Sequence, residues 1–154
     1  MAKRAALVIE RCLSLCIAAA LLASGAAHAA NPYLFLQAIH AYQLAPEAVA
    51  PWVAALLPQL QIVLAACMLC RVLERPALLI SAMMFVVFAS AQGVALYRGL
   101  KISCGCFGYS MEAISGLSLG AAMGLAASSM ICASLLKDNP VPGLERNLSS
   151  PGYA

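Results

Sequence analysis

Charge is the scarcest commodity in this chain. Of its 154 residues nine are Lys or Arg and six are Asp or Glu, 10% charged in all, where soluble domains carry about 25%. Aromatic residues make up only 6%, with a single Trp, and there are two histidines. These shortages exclude whole classes of function. The few basic residues sit at the ends of apolar runs and form no patch, so no nucleic-acid partner is implied. No nucleophile–base pair, phosphate loop or carboxylate dyad is present. What is abundant is apolar surface, 64% of residues with a mean hydropathy of +0.91, the composition of an integral membrane protein with room for four spans.

The expected architecture is all-α, a four-helix transmembrane bundle with a short extracytoplasmic interfacial helix, occupying residues 1–136 ahead of a polar cytoplasmic tail, 137–154. Lys3 and Arg4 precede an apolar run from Cys12 to Ala27. With Ala27-His28-Ala29 behind it, that run has the form of a cleavable signal peptide over residues 1–29. Extended back to Ala5 it supplies about 22 positions, enough for a span whose Glu10 and Arg11 lie at the inner headgroups. The retained span, 5–27, is the favoured form, and both forms deliver Asn31 to the outer face.

Gln37, His40 and Gln43 then recur at helical spacing opposite Leu34, Phe35, Ala38, Ile39 and Tyr42, an amphipathic helix suited to the interface. The remaining spans cover about 52–71, 77–97 and 111–136. Trp52 anchors the second at the outer headgroups, and Pro58 kinks it beside Gln59 and Gln61, whose amides need partners across helices. Ser110 and Glu112 suit the start of the fourth span as N-cap and first-turn acid. Gly116, Gly120, Gly124 and Ser128, each four apart, give that span one flat face for close contact with a neighbouring helix. His28 and His40 stand alone and read as interfacial polar residues rather than proton carriers or ligands.

Basic residues orient the bundle. Lys3, Arg4, Arg11, Arg71, Arg75, Lys137 and Arg146 fall on one side and only Arg98 and Lys101 on the other, which makes both termini cytoplasmic. The polar, glycine-rich stretch Arg98–Tyr109 then faces the oxidising side. It holds Cys104 and Cys106 one residue apart, with Gly105 between them to let the backbone bend. A bridge closed over so short a loop is strained and therefore exchangeable, and the bland alternative is a turn carrying two inert cysteines. Lys101, Arg98 and the following helix N-terminus favour the thiolate that exchange requires. Cys67 and Cys70 have redox-motif spacing but close a membrane helix instead of opening one. With Cys12, Cys16 and Cys132 they make five inner cysteines, whose bland role is small apolar filling and whose rival role is binding a soft metal such as Cu(I) or Zn(II). Seven cysteines in all leave at least one unpaired within the chain.

Four spans, an interfacial helix after the first, a proline in the second and Cys104-Gly105-Cys106-Phe107-Gly108 before the fourth resemble the MauE branch of the MauE/DoxX membrane proteins, over about Ala5 to Leu136. The resemblance implies a multi-pass protein of the bacterial inner membrane. Its implied role is maturation or export of the disulfide-rich small (β) subunit of periplasmic methylamine dehydrogenase, with a thioredoxin-like, MauD-like partner. Cys104 and Cys106 would be the working pair, in an accessory with no cofactor of its own. Two positions depart from the wider family pattern: Gln61 stands where an acidic residue follows the second-span proline, and His28 where a lysine follows Ser24-Gly25. A family ion pair would be replaced here by a neutral amide and an imidazole. The rival functions are a soft-metal or thiol carrier using the inner cysteines and a non-redox membrane assembly factor.

Overall fold

A computed structural model describes residues 2–44, 46–100 and 116–138 of the chain, with side chains from 8 to 136 within those ranges. Five helices follow one another: α1 (Ala2–Ala30), α2 (Pro32–Tyr42), α3 (Ala50–Leu69), α4 (Glu74–Tyr97) and α5 (Gly116–Asp138). The fold is all-α, and no strand occurs among the described residues. All but α2 contain an apolar stretch of 20–24 residues, long enough at 1.5 Å per residue to cross roughly 30 Å of hydrocarbon. The chain is a multi-pass membrane protein.

Local chemistry sets the helix ends. Asn31 leaves helical geometry between α1 and α2, and Pro32 opens the second helix, where its missing N–H costs nothing. Pro76 lies in the first turn of α4 for the same reason, so that helix begins ahead of it, at Glu74. Both α3 and α4 close with a paired carbonyl-capping arrangement. After α4, Gly99 takes φ +68°, its N–H reaches Leu96 O at 3.0 Å and the Leu100 N–H reaches Ala95 O at 3.0 Å. After α3, Arg71 takes the left-handed position with φ 58°, while the Val72 N–H bonds Cys67 O at 3.0 Å. Leu73 follows at φ 55°, so the chain reverses in four residues, Cys70 to Leu73, two of them strained non-glycines.

Packing is most extensive between α1 and α3 and between α4 and α5, with α3 against α4 and α1 against α5 completing a ring. Consecutive spans alternate in direction, and α2 lies against α3 and α1 at one end. That end carries the exposed aromatic residues Tyr33, Trp52 and Tyr97; the opposite end carries Arg11, Arg71 and Arg75. Ile17, Leu21, Leu64, Met68, Leu78 and Phe85 form the centre of the core. Val63, Met83, Val87 and Leu117 point outward, as lipid contact requires. The glycines of α5 differ from the sequence reading: a methyl group at Gly116, Gly120 or Gly124 would meet nothing within 4 Å, so this face is turned away from the other described helices.

At the basic end a cluster of polar groups is buried. Glu74 is 4% exposed, and its carboxylate accepts from Ser14 Oγ at 2.7 Å and from Arg71 Nε at 3.4 Å, with Arg11 Nη1 at 3.6 Å. Glu10 is also buried, and its backbone carbonyl accepts the Cys132 thiol at 3.5 Å. One carboxylate therefore joins α1, the α3–α4 turn and α4, while the thiol brings in α5. Removing the acceptor with Glu74→Ala leaves Ser14 and two guanidinium groups without it. The loss expected is about 2–3 kcal/mol, below the ~3–5 kcal/mol of a fully buried pair because both arginines reach solvent. Glu74→Gln, which still accepts from Ser14, is expected to lose less. Thermal unfolding of the two variants in the same detergent measures the difference.

Candidate functional site

The dicysteine stretch hangs between α4 and α5. The Gly99 cap stops α4 at the aromatic end, and α5 starts from that same end at Gly116, so residues 101–115 connect two helix ends there. Lys101, Cys104 and Cys106, with Ser110 and Glu112, lie outside the described residues.

Within the aromatic half of the bundle the described residues assemble a second polar cluster, between α1 and α3. The helices meet closely because residue 25 is glycine. Opposite it, Pro58 breaks the regularity of α3, since its ring nitrogen has no hydrogen to give the Ala54 carbonyl. Three turns of α1 and α3 then bring Ser24, His28 and Gln61 together, all with 9% exposure or less. Gln61 Nε2 donates to Ser24 Oγ at 3.5 Å, and Ser24 Oγ lies 3.5 Å from His28 Nδ1. Phe35 of α2 covers this imidazole, its ring stacked at 3.9 Å and 28°. The cluster thus contains one titratable group, a hydroxyl able to pass a hydrogen bond on, and an amide. It can hold and orient a proton at His28, under an aromatic cover.

Ser24 thus joins His28 and Gln61, side chains from two different helices. Gln59, which sequence reasoning grouped with Gln61, is exposed instead. His40 is exposed on α2 and separate from the cluster. Ser24 was legible only as part of a Ser-Gly pair, yet it is the middle link.

The other cysteines do not converge. Cys12, Cys16 and Cys70 are exposed, Cys67 is half-buried and Cys132 is buried. Cys70 caps the C-terminus of α3, where the chain presents carbonyls and not the N–H groups of a helix start. Among the described residues no group of three His, Cys, Asp or Glu side chains is placed to hold a metal ion. The soft-metal reading of Cys67 and Cys70 therefore lacks further ligands of these types within the described bundle.

Residues 4–136 match the family described as methylamine utilisation protein MauE, and the chain belongs to that family. No curated protein and no solved structure matches it.

Two glycine substitutions separate the close helix contact from the open helix face. In Gly25→Ala the new methyl group would lie 3.0 Å from Gln61 Cβ, 3.0 Å from Ile62 Cγ1 and 3.1 Å from the Pro58 carbonyl oxygen. One of these neighbours is backbone, so α1 and α3 must separate, at an expected cost of about 1–3 kcal/mol. Gly124→Ala meets no atom within 4 Å and is expected to leave the thermal midpoint unchanged or raised. Equal losses for both would contradict the close approach at residue 25.

Proposed function

We propose that this member of the MauE family supports the maturation or export of a periplasmic protein by thiol–disulfide exchange at Cys104 and Cys106. The observation that carries the reading is the family match itself, whose span of residues 4–136 includes both cysteines. The client indicated by the family is the disulfide-rich small (β) subunit of methylamine dehydrogenase, and the partner a thioredoxin-like, MauD-like protein. The chain sits in the bacterial inner membrane with both termini cytoplasmic. Arginines at one end of the bundle and exposed Tyr33, Trp52 and Tyr97 at the other support that orientation. The 101–115 connection then lies on the oxidising side, where a disulfide persists.

In the exchange a client thiolate attacks the Cys104–Cys106 disulfide, giving a mixed disulfide and releasing one thiolate of the pair. The client's second thiolate attacks the mixed bond, so the client is oxidised and the pair reduced to a dithiol. Two electrons and two protons have moved. A thioredoxin-like disulfide of higher potential reoxidises the pair by the same steps in reverse order. Lys101 stands three residues before Cys104, where its charge favours the thiolate leaving group.

The reading predicts that Cys106→Ser or Cys104→Ser will hold a mixed disulfide with a periplasmic protein, since the resolving thiol is gone. Alkylation under acid quench followed by non-reducing electrophoresis detects the adduct. Wild-type protein should be recovered as a mixture of oxidised and reduced forms. Complete and permanent oxidation, with no adduct in either variant, would mark the pair as a structural staple.

A further inference from the structure

The polar cluster between α1 and α3 contains a group that its neighbours leave unanswered. Gln61 is 1% exposed, and its Oε1 receives no hydrogen bond from the protein, although its Nε2 donates to Ser24 Oγ. An amide oxygen away from water loses its solvation, and in a bilayer nothing outside the bundle replaces it. A second acceptor stands on the same buried side of α3: Pro58 gives no hydrogen to the Ala54 carbonyl, and Ala54, Pro58 and Gln61 are all buried. Helical side chains lean toward the N-terminus, which inclines the Gln61 amide toward the Pro58 turn. Near Ser24 the bundle thus leaves the Gln61 side-chain oxygen without a donor and takes from the Ala54 carbonyl its helical one.

We propose that this site binds a single water molecule that donates to Gln61 Oε1 and to the Ala54 carbonyl. Only a donor fits the chemistry, because the unanswered groups are oxygens. The α1–α3 contact beside this oxygen is close, with a methyl group at Gly25 already 3.0 Å from Gln61 Cβ, which favours the smallest donor, water. A cation is disfavoured, since no carboxylate is present among the residues of the cluster and its one titratable side chain, His28, becomes positive on protonation. The water extends the chain Gln61–Ser24–His28 to the proline break of α3, about halfway along that helix. The stacked Phe35 of α2 stands over the opposite end. Farther in, Leu21, Leu64 and Met68 close the bundle with apolar packing, so the wet segment stops short of the basic end. This site is independent of the thiol reading and stands or falls without it.

Water-edited solid-state NMR of the full chain in lipid bilayers tests the proposal, with magnetisation passed from water protons to the Gln61 side-chain carbonyl carbon. Its signal is expected to build up well ahead of those of Leu21 and Leu64, and a Gln61 signal as slow as theirs overturns the site.

Discussion

A carboxylate inside an apolar bundle is costly unless hydrogen-bond donors meet it, and of the two buried carboxylates among the described residues, Glu10 and Glu74, it is Glu74 that gathers them. Its oxygens take a serine hydroxyl from α1 and approach guanidinium groups from α1 and from the turn before α4. Between apolar helices in lipid the hydrophobic effect supplies little preference for one arrangement over another, because acyl chains are as apolar as leucine. Polar contacts and close backbone approach must choose the register. In this chain they do so at two levels, Glu74 with Ser14 near one end and Gln61 with Ser24 nearer the other. Both levels fasten α1, which makes the first helix the common partner of the rest.

Between the two levels lies a dry layer built from Ile17, Leu21, Leu64 and Leu78. That layer divides the two clusters along α1 and α3, while Ser81, Gln92 and Ser129 are buried polar residues that belong to neither. The connection bearing the thiols and the imidazole of His28 belong to the aromatic end, while the ionic cluster belongs to the basic end and acts as an anchor. Gly25 and Pro58 work together in this division: the glycine lets the helices touch, and the proline leaves a carbonyl for the contact region to answer.

Hydropathy made the helical class, the four spans and the interfacial helix legible in the sequence, because membrane solvent imposes length and composition directly. The dicysteine motif, together with the pattern of spans, was enough to indicate the family. The buried roles of Glu10 and Glu74 were not legible. Charges near span ends ordinarily lie at headgroup level, and only tertiary contact with Ser14 and Arg71 turns Glu74 inward. The α5 glycines were misread for a related reason: four-residue spacing reveals a flat face but not which way it turns. Gln61 and His28 were visible as departures from a family pattern, whereas Ser24 as their link required the α1–α3 register. Gly99 within Arg98-Gly99-Leu100 is itself a sequence mark of the stop, because α4 ends there by a recurrent glycine-dependent cap.

The abrupt reversal between α3 and α4 bears on how the protein is made. Four residues cannot reach across a bilayer, so the C-terminus of α3 and the N-terminus of α4 lie on the same side and the two helices form one hairpin. Synthesis proceeds from the N-terminus, and α1 therefore reaches the membrane while Glu74 is still unmade. Until that hairpin docks, Ser14 and Arg11 face lipid or an insertion factor without their acceptor. Of the four spans, α1 therefore waits longest for the partner of its buried hydroxyl at Ser14.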